Sequence, residues 1–375
     1  MAEGYAWPRR QQVSVGTADP TGSVGMCFQG NPGKPEKLGT LIYGPQFRVL
    51  SGGSKWVQAQ PALNAGCVDK APEDVYNRKA KKGSDSEDTM YIADGWKDYE
   101  VIDTGDGEKL ERWGDVILRR PDPQAIWPCE DKSAWKQAHA WYHRSASGGG
   151  EWEFFRRLPE KWEIDYKNLR FWVRPTGFKH TGLFPEQAVN WDWMGGLIRK
   201  AGRPIRVLNL FGYTGGATVA CAAAGAHVTH VDAAKGMVQW AGENRQLSGL
   251  DEKSTRWIID DALKFVKREQ RRGSFYDGIL MDPPSYGRGP GGEIWKLENE
   301  LYGLVDACAQ TLSERPLFML INSYTTGLQP AVLHNMLEKT VAQAHGGSVS
   351  ADEVVLPVTL GGVLPCGASG RWQAR

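Results

Sequence analysis

From about residue 186 onward, short apolar runs alternate with longer amphipathic segments, and this alternation restricts the fold more than any other feature. The runs "IRVLNL" (205–210), "HVTHVD" (227–232), "TRWIID" (255–260), "YDGILMD" (276–282) and "LFMLINS" (317–323) are too short for buried helices and read as buried strands. Between them lie helical segments, among them "GATVACAAAGA", "AKGMVQWAGENRQLSG", "ALKFVKREQRRG" and "EIWKLENELYGLVDACAQTLS". Repeated β-α-β units imply a Rossmann-like, doubly wound parallel sheet of the α/β class. The final stretch, "EVVLPVTLGGVLPCGASGRWQ", has no helix between its strands and reads as a terminal antiparallel hairpin, making seven strands in all.

The chain before this part divides into two. Residues 1–89 are rich in Gly, Pro, Ser and Ala, and "KAKKGSDSEDT" is too polar to pack, so we expect a disordered or non-native extension there. Residues 90–175 carry turns and short alternating strands. "TGDGE" signals a hairpin, and "GDVILRR" alternates like a half-exposed strand. We expect a small β-rich substrate-binding unit over 90–175 and a catalytic domain over 176–375. Arg119, Arg120, Arg156, Arg157, Lys161, Arg170 and Arg174 could line an RNA face, or they could be a solvated strand face, since acids are interleaved with them. Ten of the 16 tryptophans fall between Trp96 and Trp193; most should be core, and some could stack on bases.

Composition narrows the partners. The net charge of +1 implies no polyanion-binding character overall, so any nucleic-acid surface must be local. The six cysteines are scattered, with no C-x-x-C pair and no Cys/His cluster, which argues against disulfides and a structural metal and points to a reducing, cytoplasmic setting. No apolar run reaches transmembrane length.

In such sheets ligands bind at the carboxyl ends of the strands. The first strand is followed by "LFGYTGGAT", a glycine loop that could approach a ligand or simply be a tight turn. The second ends at Asp232, twenty residues beyond Gly212, where a carboxylate can accept ribose hydroxyls of an adenosine cofactor, NAD and S-adenosylmethionine alike. The third ends at Asp260 and Asp261. Asp260 is placed to cap the next helix, which leaves Asp261 as the candidate for the adenine amino group. The fourth runs into "MDPPSYGRG". Two prolines cannot continue a ladder. They can fix a backbone carbonyl toward the cleft, where it and Asp282 would grip an exocyclic amine, with Tyr286 stacked on its ring. "GRGPGG" (287–292) reads as a flexible loop able to close over substrate.

The motifs "LNLFGYTGGAT", "VDAAKGMV", "IIDDALKF" and "MDPPSYGRG", with "FKHTGLFPEQAVNW" upstream and "LPCGASGRW" near the end, resemble the bacterial class I S-adenosylmethionine-dependent methyltransferases of large-subunit (23S-type) ribosomal RNA. The resemblance covers roughly 96–375 and implies the seven-stranded methyltransferase sheet, S-adenosylmethionine as cofactor and ribosomal RNA as partner. It implies that Lys179, Thr181, Gly182, Phe184 and Gln187 frame the cofactor pocket. Asn209, Phe211, Gly212, Tyr213, Thr214 and Gly215 would approach the cofactor, Asp232 its ribose and Asp261 its adenine. Asp282, Pro283, Pro284 and Tyr286 would face the target base.

Two departures bear on the chemistry. Cytosine-C5 members use a cysteine after the fifth strand, and "INSYTTG" (321–327) has none, so a thiolate attack from that position is excluded. Cys366 could approach the cleft, although a small buried thiol is the plainer reading. A base nitrogen is therefore favoured over C5. Ser285 sets the aromatic one place later than in the Asp-Pro-Pro-Tyr amine methylases. A protein or small-molecule substrate is the alternative.

Overall fold

All five expected parallel strands form, and consecutive residues along them enter two different cores. The computed structural model describes residues 90–145, 149–177, 179–288, 294–324 and 328–375, together with two short antiparallel pairs earlier in the chain. The chain divides into units Met1–Gly83 and Ser84–Arg375. In the first, Ser14–Val15 pairs with Met26–Cys27 and Arg48–Leu50 with Trp56–Gln58. The expectation for 1–89 otherwise lies outside the described residues.

The second unit opens with β1 (Tyr91–Ile92), β2 (Tyr99–Gly105), β3 (Glu108–Trp113), β4 (Val116–Pro121), β5 (Ala140–Arg144) and β6 (Gly150–Phe154). Strands β2 to β6 form one five-stranded sheet in sequential order, antiparallel except where β4 runs parallel to β5. The β2–β3 turn is Asp106-Gly107, with φ of 54° and 80°, the left-handed pair that a two-residue hairpin with native twist needs. A separate hairpin, β7 (Trp162–Tyr166) with β8 (Leu169–Val173), follows.

Next come α1 (Ala188–Lys200), β9 (Ile205–Leu210), α2 (Gly216–Ala223), β10 (Ala226–Asp232), α3 (Lys235–Leu247), β11 (Thr255–Ile259), α4 (Ala262–Arg272) and β12 (Gly278–Met281). After these lie β13 (Tyr286–Arg288), β14 (Ile294–Lys296), α5 (Leu297–Ala309), β15 (Phe318–Ser323), α6 (Pro330–Leu337), β16 (Ser348–Pro357) and β17 (Val363–Gln373). The large sheet has the order β11-β10-β9-β12-β15-β17-β16-β1. Its first five strands are parallel, and β17 and β16 form the antiparallel hairpin. The eighth strand, absent from the sequence expectation, is β1, a two-residue addition parallel to the edge of β16.

Phe318 and Leu320 enter the core shared with α1, α2 and the N-terminal sheet, while Met319 and Ile321 enter the core under α4, α5 and α6. That is the period of two in a strand covered on both faces. Tyr99, Trp113 and Phe171 share the first core with Val207 and Val219, so the N-terminal strands and the doubly wound part are packed together. Of the ten tryptophans between Trp96 and Trp193, Trp113 and Trp191 are buried, seven are half-buried and Trp127 is exposed, so fewer are core than expected. The chain leaves β9 outward to β10 and β11, then returns to β12 on the other side. The order of strands therefore reverses between β9 and β12, and a crevice opens at their carboxyl ends.

Candidate active site

Leu210 ends β9, and the next residues bend sharply. Phe211 (φ 55°) and Tyr213 (φ 49°) are held in the left-handed region, a strained conformation for non-glycine residues that tends to be kept at ligand sites. The Asp232 carboxylate at the end of β10 holds the bend in place, accepting from Tyr213 N at 2.9 Å and from Ala234 N at 2.8 Å. Burial raises the pKa of Asp232, and these two N–H donors oppose that. Gly212 has a reason other than ligand approach: a Cβ there would run into the imidazole of His230. His230 is fully buried and kept neutral, its pKa pushed down to about 3 by burial, with Nδ1 2.9 Å from Thr218 Oγ1.

β12 ends in Asp282. Its Oδ1 is sealed from solvent with no hydrogen-bond partner, an arrangement that is costly unless a ligand supplies a donor. Tyr324 donates to its Oδ2 at 3.3 Å. Burial first, then the charge of Glu186, raise the Asp282 pKa to about 7. Behind Tyr324 lies a satisfied polar network. Gln187 Nε2 donates to Tyr324 Oη at 2.8 Å, while Gln187 Oε1 accepts from Asn190 and Asn322, each at 2.8 Å. Arg371 in turn donates to Asn190 Oδ1 at 2.9 and 2.6 Å.

After Pro284, β13 pairs with β14, with Gly287 opposite Trp295. Trp295 Nε1 donates to Pro284 O at 2.7 Å, so that carbonyl is already engaged. Gly287 and Trp295 face the cleft. Tyr286, the residue expected to stack on a base, is on the alternate face, 51% exposed and outside the cleft. The aromatic walls are instead Trp295 with Phe211 (ring centroids 5.4 Å apart) and Phe184 with Tyr213 and Tyr324 (5.4 and 5.7 Å). Residues 289–293 lie outside the described residues.

The N-terminal sheet closes the cleft on the opposite side. Arg120 donates to Glu111 through Nε (2.5 Å) and Nη2 (2.8 Å), and its Nη1 donates to Lys179 O at 2.6 Å. Burial pushes Glu111 up, but the charges of Arg120 and Lys109, with hydrogen bonds from Arg120 and Tyr99, hold it down at about 2. Lys109 and His180 stand beside this pair on the cleft wall. The His180 pKa falls to about 4, through burial and then Arg120 and Lys179. Cys366 also lines the cleft, but burial and the Glu186 charge push its thiol well up, away from the reactive thiolate.

One cleft of about 1080 Å³ thus brings together Lys179, Phe184, Phe211, Tyr213, Asp232, Asp261, Asp282, Pro283 and Pro284. Gln187, Asn209, Gly212 and Thr214 line a smaller cavity of about 50 Å³ that shares Asp282 and Phe211 with it. Several expected residues serve the scaffold. Asn209 donates to Thr218 Oγ1 at 2.8 Å, Thr214 Oγ1 to the carbonyl of Gly182, and Gly215 lies against Ala241 of α3. Thr181 is fully buried, its Oγ1 without a partner and outside both cavities, and a Cβ at Gly182 would strike Trp240. The capping expectation was placed one residue early. Asp261 caps α4, accepting from Lys264 N at 2.8 Å, while Asp260 pairs with Arg268. Sequence reasoning missed Glu186, Tyr324 and Trp295; only the strand pairing that turns Trp295 inward, and the network behind Tyr324, reveal them. Among the described residues no three His, Cys, Asp or Glu side chains gather as a metal site.

A family model for S-adenosylmethionine-dependent methyltransferases matches residues 129–294. A crystal structure of the SAM-dependent methyltransferase from Agrobacterium tumefaciens is 40% identical, with a TM-score of 0.73, over 76% of this chain and 94% of that one. The chain belongs to the S-adenosylmethionine-dependent methyltransferases. This methyltransferase is also 25% identical, over 64% of its length and 68% of the relative, to the ribosomal RNA large subunit methyltransferase K of Neisseria meningitidis. It is 37% identical to the ribosomal RNA large subunit methyltransferase K/L of Methylococcus capsulatus over 33% of its length, which spans only 16% of that protein. The α/β methyltransferase sheet, which carries one edge strand more than the seven expected, the enzyme class and the cofactor expected from sequence all stand. The site residues fit the cofactor, with acids at successive strand ends, aromatic walls and a sealed carboxylate oxygen in one cleft. Among the described residues no helix is long and apolar enough to cross a membrane.

Proposed function

We propose that the protein methylates a nitrogen of a base in large-subunit ribosomal RNA, in the cytoplasm. The observation that carries this reading is Asp282 Oδ1, buried without a donor in a cleft walled by aromatic rings. An amino or ring N–H of a base supplies such a donor, and its plane suits the walls. The names of the two ribosomal RNA relatives support RNA as the substrate. In this reading residues 176–375 form the catalytic domain and 90–175 the RNA-facing unit.

S-adenosylmethionine, when bound, supplies a methyl group on a positively charged sulfur. Asp232 would hold the ribose hydroxyls with the lone pairs left over from Tyr213 and Ala234, Asp261 would take the adenine amino group, and the bent Phe211–Tyr213 backbone would lie alongside. Asp282 would accept the N–H of the base, turn the nitrogen lone pair toward the methyl group, and take the proton released as the new N–C bond forms and the methyl–sulfur bond breaks, its electron pair staying on the sulfur. A base with a pKa near 7 is well matched to that step at neutral pH. Trp295, by fixing Pro284 O, keeps the Asp-Pro-Pro turn rigid, and positioning of this kind supplies much of the rate of an in-line displacement. The segment 321–327 around the end of β15 holds no cysteine to form a covalent adduct with a pyrimidine.

The test is mass mapping of large-subunit ribosomal RNA from cells with and without the protein. One nucleotide lighter by a methyl group in the deleted strain is the expected result, with restoration by the purified protein and S-adenosylmethionine. Unchanged RNA, with transfer to a protein or small molecule instead, would overturn the RNA reading and leave the enzyme class intact.

A further inference from the structure

A second cavity, of about 600 Å³, lies on the N-terminal sheet. Its position follows from strand alternation. On β3 and β4, Lys109 and Arg120 are paired neighbours facing the active-site cleft, whereas Glu108 and Arg119 point to the other face and line this second cavity. The two cavities therefore sit back to back across one hairpin.

The second cavity is built, not incidental. Asp103 is buried and accepts four hydrogen bonds: Thr104 N (2.8 Å), Glu130 N (3.3 Å), Asp131 N (3.1 Å) and Trp135 Nε1 (2.7 Å). These pin residues 130–135 as one wall. Glu108 fixes the other, accepting from Trp141 Nε1 at 2.7 Å and from Arg119 Nε at 2.9 Å. The Arg119 guanidinium is thereby held 3.6 Å from the Trp141 ring centroid and 5.3 Å from that of Trp135. Lys132, Lys136 and Arg156 are exposed on the rim, and Phe155 presents a half-exposed ring. Asp106 and Glu108 are the acids in the lining, against four cations, and Glu108 is already engaged. A rigid aromatic floor ringed by exposed cations is the chemistry that holds a base by stacking and its phosphates by charge.

We infer that this cavity binds a single-stranded segment of the RNA substrate, with a base against Phe155 and the Arg119–Trp141 stack and phosphates on Lys132, Lys136 and Arg156. The inference rests on the RNA reading above. A strand seated here passes over the Asp106–Gly107 tip to reach the catalytic cleft, so the cavity adds affinity for RNA at a distance from the methylated base.

The experiment compares the full chain with the K132E/K136E/R156E triple variant and with Phe155→Ala. Three measurements are made: binding of an unstructured RNA oligonucleotide of about 12 nucleotides, binding of uridine monophosphate, and calorimetric binding of S-adenosylmethionine. The triple variant should bind the oligonucleotide at least about tenfold more weakly, with the salt slope reduced by about two, for three lost phosphate contacts. Phe155→Ala should weaken it by about five- to tenfold. S-adenosylmethionine affinity should not move, which shows that the variants are folded. Unchanged RNA affinity and salt slope in the triple variant would overturn this site while the RNA reading stood. Absence of RNA binding by the unaltered chain would overturn both. Uridine monophosphate bound as tightly as the oligonucleotide, and lost in the triple variant, would make this a small-molecule site and overturn the inference.

Discussion

Arg119 and Arg120 are adjacent on one strand, yet they live in opposite surroundings. Arg120 is buried, spends its donors on Glu111 and the Lys179 carbonyl, and ties the N-terminal sheet to a segment that lines the cleft. Arg119 lies half-buried over Trp141, and its carboxylate partner Glu108 is itself partly solvated. The alternation of a strand thus separates two jobs by a single residue. The inner face lines the cleft that holds Asp282, and the outer face presents charge and aromatic surface to solvent. The difference teaches that a charge near a site can be framework or contact surface, and that burial, not proximity, decides which.

The sharpest test of that separation lies at Asp282. Asp282→Asn should lower turnover by about a thousandfold, the scale of a lost general base. RNA-oligonucleotide affinity should stay within about twofold, the reverse of the pattern expected for variants of the outer pocket. In the unaltered enzyme the rate should rise with pH through about 7 as Asp282 ionises. Stability has the opposite sign. The folded pKa of Asp282 is raised above its unfolded value of 3.8, so folding loses stability as pH climbs from there through about 7. The melting temperature of the Asn variant should therefore gain on that of the parent between pH 5 and pH 8. Equal gains at both pH values would mean that Asp282 does not titrate in that window.

Arg120→Met is next in size. It leaves Glu111 buried without its two-pronged partner and should cost about 3–5 kcal/mol of stability, read by denaturant unfolding. Because the folded Glu111 pKa is depressed to about 2, its contribution is complete above 4.5 and fades as pH falls toward 2. The gap between parent and variant should narrow over that acid range. A cost below about 1 kcal/mol would put Arg120 in the same class as Arg119 and erase the contrast.

How much of this was legible in the chain depends on whether a property is local. The five parallel strands and the hairpin follow from apolar runs and from Asp106-Gly107, which carry their structure in neighbouring residues. That Asp232 and Asp282 would come to one cleft was legible for the same reason, since each stands at the carboxyl end of a recognisable strand. Tyr286 was misplaced because the pairing of β13 with β14, strands separate in sequence, decides which face it takes. Glu186, Tyr324 and Arg120 were illegible as a site because they come from a short helical turn (Pro185–Gln187), the residue after β15 and another sheet. The glycines of "FGYTGG" look alike in sequence, yet Gly212 yields to His230 and Gly215 to Ala241, both protein neighbours that only packing brings there.

The smallest expected effect completes the comparison. Arg119→Met removes an ion pair with Glu108 and the cation stacked on Trp141, but it leaves no charge stranded. Glu108 keeps the Trp141 indole N–H, and its side chain retains 17% exposure. The methionine retains much of the apolar stem that covers the ring. The stability cost should be about 1 kcal/mol, the range of a partly exposed pair plus a cation–π contact. Turnover on a short RNA that reaches only the catalytic cleft should not change. Unfolding curves of Arg119→Met and Arg120→Met, measured side by side at pH 7, decide the matter. If both cost 3 kcal/mol or more, the outer face is as much a part of the scaffold as the inner one. If only Arg120 does, a single step along β4 marks the boundary between framework and contact surface.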